Sequence, residues 1–183
     1  MVEVRSRPVQ AAVIALVAAL LGAVGPIGAQ TTVLGEVQAY PAGLVATGGV
    51  EWPMGGTQLG IRAGYNLTDR RDWGEHEQED GGGAGAGVTL MWDMDARPGG
   101  FFLAAALDVW RLSIDWEDPG RSGTSEVTVF QPTARVGYGV LWGPREVRLS
   151  LSGGWEINTR LTGEAVGEGP IGLIGAALAW GGR

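Results

Sequence analysis

Apolar and polar residues alternate with a period of two along most of this chain, and the polar partner is very often the smallest residue available. From Gln58 to Leu67 one parity reads Leu59, Ile61, Ala63, Tyr65, Leu67 and the other Gln58, Gly60, Arg62, Gly64, Asn66. From Ala84 to Met94 the apolar parity is Ala84, Ala86, Val88, Leu90, Trp92, Met94, against Gly85, Gly87, Thr89, Met91, Asp93. Phe130–Trp142 and Val147–Ile157 follow the same rule. Successive side chains point to opposite faces only in a strand, so this is a β pattern and not a 3.6-residue one. The 33 Gly agree, because glycine costs an interior helical position about 1 kcal/mol relative to Ala.

Val33–Ala39 and Leu44–Trp52 alternate more loosely, with Glu36, Gln38, Thr47 and Glu51 in the polar parity. Phe101–Val109 alternates with Asp108 in the polar parity, but beyond it Trp110, Leu112, Ile114 and Trp116 are apolar and the parity slips by one. A β-bulge at Val109-Trp110 would keep one apolar face along that strand. Ile174–Trp180 completes a set of eight. Pro53–Gly56, Asp95–Gly100 and Gly143–Glu146 read as tight turns. Thr68–Gly83, Glu117–Ser125 and Arg160–Pro170 read as longer polar loops, and Tyr40–Gly43 is a short exception among them.

Two closed structures carry such alternation. A soluble barrel turns its apolar parity inward; a transmembrane barrel turns it outward to lipid. The polar parity here is mostly Gly, Ser and Thr with a few charges, and the chain has no Lys. A water-facing surface is more densely charged, at about 25–35%. A narrow eight-stranded interior instead needs small residues and a few matched charges. Trp52, Trp92, Trp142 and Trp180 lie in the apolar parity at strand ends beside short turns or the C-terminus. They are expected to form one interfacial aromatic girdle, with Tyr65, Phe130 and Trp155 forming the opposite one. The clean segments match the roughly 9–11 residues that cross a bilayer as a tilted strand.

Residues 1–29 are set apart. Arg5 and Arg7 precede an apolar run from Ala11 to Val24, and Pro26 and Gly28-Ala29 follow. That is the layout of a cleaved signal peptide, and the run is too short to span a membrane as a helix. The expected division is a signal peptide at 1–29 and an outer-membrane barrel domain at 30–183. The chain has no Cys, hence no disulfide framework. Its net charge of −7 opposes a nucleic-acid partner, which needs a basic face.

On these residues the chain resembles the small bacterial outer-membrane β-barrel family, the OmpA/OmpX-like and OmpW-like eight-stranded barrels. Residues 131–139 (Gln-Pro-Thr-Ala-Arg-Val-Gly-Tyr-Gly) look like strands of that family, and Gly175, Leu178 and Trp180 are similar to its C-terminal insertion signal. The resemblance implies an all-β, eight-stranded antiparallel up-and-down transmembrane barrel in the bacterial outer membrane. It also implies outer-membrane lipid, lipopolysaccharide and the barrel-assembly machinery as partners, and a monomer.

Inside such a barrel Glu36, Glu51, Arg62, Asp93, Asp108, Arg135, Arg148 and Glu156 face the lumen by parity. Unpaired charges there are costly, so they should form a network, with Asp108 expected to meet Arg135. The single His, His76, has no Ser close in sequence, which gives no basis for a nucleophile–base pair. Glu77, Glu79 and Asp80 in the same acidic loop are a weak candidate divalent-cation site. No cofactor motif is present, since the glycine run at 81–87 lacks the Lys-Ser/Thr of a phosphate loop. The expected role is therefore non-enzymatic: envelope structure or surface interaction through the loops, with a filled lumen. A small OmpW-like channel and a soluble lipocalin-like periplasmic carrier are the alternatives.

Overall fold

The alternating segments pair, each with the next, into a ring. The computed structural model describes residues 31–71, 74–95 and 99–181; the expected signal peptide lies outside them. The strands are β1 (Thr32–Tyr40), β2 (Gly43–Met54), β3 (Thr57–Arg71), β4 (Gln78–Asp93), β5 (Gly100–Asp118), β6 (Arg121–Trp142), β7 (Arg145–Thr162) and β8 (Gly169–Gly181). All neighbours are antiparallel, and β8 returns to pair with β1, closing an up-and-down barrel. Stepping from partner to partner, Thr32 leads through Glu51, Gly60, Thr89, Ala106, Thr133 and Gly154 to Ile171. Because Ile174 pairs with Ala39, Ile171 stands level with position 42, so the ring closes with a stagger of ten residues (42 less 32). Such a stagger tilts the strands by about 35–45°.

Several strands are much longer than the sequence pattern suggests. β5 has 19 residues, β6 22 and β7 18. The parity that was broken at Val109-Trp110 explains why. No bulge occurs there: Asp108 pairs with Gly87 and Gln131, and Trp110 with Gly85 and Val129, in unbroken register on both sides. The backbone keeps its phase and the chemistry changes instead. Below this point the outer face of β5 carries Phe101, Leu103, Ala105, Leu107 and Val109, and the inner face is small or polar apart from Phe102. Above it the outer face carries Arg111, Ser113, Asp115 and Glu117, while Trp110, Leu112, Ile114 and Trp116 turn inward and are buried. β6 inverts in step: Phe130–Trp142 presents its apolar parity outward, whereas Val127 and Val129 point in and Glu126 and Thr128 out.

The barrel thus has two interiors. The lower lumen is mainly polar, with a small apolar cluster of Met91, Phe102 and Ala104. The upper one is an apolar core of Tyr40, Val45, Trp110, Leu112, Ile114, Val127, Val129, Val166 and Leu173. The wall is uneven, because β1, β2 and β8 are short. The gap they leave above the β1–β2 turn is filled by the 163–168 connection, which sends Val166 into the core. Trp52, Trp92, Trp142 and Trp180 all face outward at the last turn of β2, β4, β6 and β8, hence at one end of the barrel. Tyr65, Phe130 and Trp155 also face outward, near the upper limit of the apolar belt.

Candidate functional site

Charged residues enter the lumen where a neighbouring strand offers glycine. A Cβ on Gly87 would strike the Asp108 carboxylate, one on Gly85 the Trp110 indole, one on Gly137 the Phe102 ring, and one on Gly139 the Glu146 carboxylate. At these four positions the glycine leaves a space that a larger group beside it takes.

In the lower lumen the Arg62 guanidinium spans β1 and β5. Its Nη1 donates to Glu36 Oε2 at 2.9 Å, and its Nε and Nη2 donate to the two oxygens of Asp108 at 2.8 and 2.5 Å. Arg135 donates to the other oxygen of Glu36 at 2.6 Å. Arg148 joins Glu51 on β2 at 2.7 Å and Glu146 on its own strand at 2.8 Å. These groups are buried, so breaking a pair would leave a charge without solvent or partner. Arg135 Nε and Nη2 and Arg148 Nη2 keep free hydrogens, and both residues line a cavity of about 20 Å³, large enough for about one water.

Seven of the eight charges assigned to the lumen stand inside and buried or nearly so: Glu36, Glu51, Arg62, Asp108, Arg135, Arg148 and Glu156. Asp93 does not. It is the last residue of β4, is exposed, and accepts from Gln58 Nε2 at 2.8 Å. The expected Asp108–Arg135 pair is also corrected. Register is fixed at the tight turn joining Asp118 to Arg121, so Asp108 sits across from Gln131, and Arg135 across from Ala104. Counting up from the lower strand ends fails because β6 descends past the start of β5.

A second network closes the upper mouth. Arg70 on β3 forms ion pairs with Glu79 on β4 and Glu156 on β7, and donates to the Gly167 carbonyl. Glu79 also accepts from the backbone N–H groups of Glu75, His76 and Gly167. One carboxylate thus holds its own loop and the 163–168 segment together. This corrects the candidate cation site: Glu79 is buried and already coordinated by the protein, Asp80 faces outward, and Glu77 is exposed. No group of three such ligands converges among the described residues. Burial, then the neighbouring Asp115, Asp69 and Glu117, raise the Asp80 carboxyl above its usual range.

His76 is buried beside this network. Its ring stacks on Trp116 at 4.2 Å, Nδ1 lies 2.9 Å from Asp118 Oδ2, and Nε2 lies 2.9 Å from the Ala165 carbonyl. Burial alone would lower its pKa, but the Asp118 bond, the Ala165 carbonyl and the Asp118 and Glu79 charges raise it overall. The hydrogen bond with His76 correspondingly holds Asp118 low, against a smaller opposing effect of burial. An imidazole aimed at two acceptors satisfies both only as the imidazolium, a form with no lone pair to offer as a general base.

Sequence reasoning missed Arg70 and Glu146, and placed Glu79 in an acidic loop, because β3, β4 and β7 extend beyond the alternating segments. Parity would have found Arg70 and Glu146: Arg70 continues Arg62, Asn66 and Thr68, and Glu146 precedes Arg148 by two.

Among solved structures the chain is similar to Neisserial surface protein A. The TM-score is 0.56 at 14% identity, over 83% of this chain and 94% of that one. This chain has that protein's fold. The N-terminal β-barrel domain of Pseudomonas aeruginosa OprF aligns at a TM-score of 0.48 and 14% identity, over 83% of this chain and 98% of that one. No family model and no curated protein matches the sequence.

Proposed function

We propose that the chain is a bacterial outer-membrane barrel that acts without chemistry, as an envelope component presenting its upper, loop-bearing end to the outside. The observation that carries this reading is the coordinated inversion on β5 and β6. The outer face is apolar below Val109 and charged above it, while the inner face changes from mostly small and polar residues, with Phe102 among them, to large apolar ones. A wall in lipid below and water above needs that pattern, because each face must match its own solvent. A soluble carrier is disfavoured by the belt, where Phe101, Leu103, Leu107, Leu149, Leu151 and Ile174 are exposed together. The Trp-bearing end then lies at the periplasmic interface, with lipid and lipopolysaccharide around the belt.

The channel alternative meets the upper core. Trp110, Leu112, Ile114, Val127 and Val129 are all about as buried as side chains become, and with Tyr40, Val45 and Leu173 from β1, β2 and β8 they form one core across the lumen. Purified protein reconstituted in planar bilayers is expected to give no steady ion current. Sustained single-channel conductance would remove the filled-lumen role. Membrane fractionation and a heat-dependent gel mobility test the outer-membrane placement itself.

A further inference from the structure

We propose that His76 is the pin of a proton-controlled latch that fastens the 163–168 connection across the upper mouth of the barrel. The connection is held at several points, among them Asn158, which donates to the Val166 and Gly167 carbonyls and to the Glu168 carboxylate. Gly167 is bound by Arg70 and Glu79, Glu164 bonds to Arg121 at 3.1 Å and exchanges two backbone hydrogen bonds with the Ser125 hydroxyl, and the Ala165 carbonyl faces His76 Nε2. The His76 contact joins three separate elements: the 74–77 loop, the β5–β6 hairpin through Asp118, and the connection itself.

The latch follows from counting protons. Both facing atoms, a carboxylate oxygen and a carbonyl oxygen, only accept. The imidazolium satisfies both. A neutral ring donates from one nitrogen and turns a lone pair toward the other acceptor, so one of the two contacts becomes repulsive. Every element packed on the ring contributes a charge. Asp118 and Glu164 favour the imidazolium, as do Glu79 from β4 and Glu75 and Glu77 on its own loop. Arg121 opposes it, but is occupied by Asp118 at 2.8 Å, by Glu164 and by the Trp116 ring. The folded pKa lies above the unfolded value, so the contribution is complete below the unfolded pKa. It is lost as pH rises through the folded pKa. Release loosens the connection that carries Val166 over the apolar core.

The latch does not depend on the membrane assignment and is tested on full-length folded protein in detergent. The chain has one His, so its ring appears as a single set of signals in ¹⁵N-labelled protein. At low pH both ring nitrogens should read as protonated, with a midpoint above 6.5 that Asp118→Asn lowers. Hydrogen exchange of residues 164–167, corrected for intrinsic base catalysis, should lose protection through the same midpoint. The loss is about tenfold for each pH unit separating the latched and released pKa values, while β5 stays protected. Protection of 164–167 that is flat through the ring's titration overturns the latch, as does a wild-type midpoint at or below 6.5. His76→Gln, checked for heat-dependent gel mobility as a folded barrel, should show the low protection at every pH.

Discussion

Arginine introduced at two outward positions of β5 separates a wall that changes solvent from one that does not. Ala105 and Ser113 both face away from the lumen, and they are eight residues apart. At about 3.4 Å per residue and about 40° of tilt, Ala105 stands about 10 Å above Phe101 along the axis. Ser113 stands about 20 Å higher still, beyond a belt about 25 Å tall. Ala105→Arg therefore puts a guanidinium near the belt's middle and should cost about 2–4 kcal/mol of folding free energy, against about 0–1 kcal/mol for Ser113→Arg. Reversible urea unfolding in phospholipid vesicles, followed by Trp fluorescence, reads both numbers. Equal costs, or a larger cost at Ser113, would refute the two-solvent reading of β5 and with it the placement of the belt.

Three further outcomes follow from the interior. Arg62→Met strands Asp108 and leaves Glu36 with Arg135 alone, and should cost about 3–5 kcal/mol in the same titration; a change below about 1 kcal/mol means the network is solvated. Ile114→Ala empties part of the upper core and should cost about 2–5 kcal/mol, as large as in a soluble protein, because lipid does not cover that level. Gly83→Ala drives a methyl into the Arg111 carbonyl and should cost about 1–3 kcal/mol, while Gly153→Ala, with open space around it, should leave the unfolding midpoint unmoved.

Period two was enough for the strand number, the closed up-and-down order and the facing of most lumen charges, because alternation is a local property of the backbone. What it could not give was height. Arg135 faces the lumen by parity alone, but its partner depends on where the Asp118–Arg121 turn sets the register, and nothing in either strand's composition records that. Trp110 to Trp116 misled for a different reason. A parity slip has two physical causes, an inserted residue or an exchanged solvent, and the sequence alone reads the same for both. The upper mouth was least legible, since His76, Asp118 and Ala165 come from three distant segments that meet only after closure.

The long β5–β6 hairpin has a consequence for how the chain reaches its place. Its upper part bears Arg111, Asp115, Glu117, Arg121 and Glu126 on the outside. In a membrane barrel that charged tip must travel through the hydrocarbon before it emerges on the far side, and each unpaired charge resists the crossing by several kcal/mol. Arg111 with Glu126, and Arg121 with Asp118, are already within reach of one another on the same hairpin. The tip can therefore cross with much of its charge neutralised within itself. Cargo of this kind favours delivery as a preformed ribbon over strand-by-strand threading.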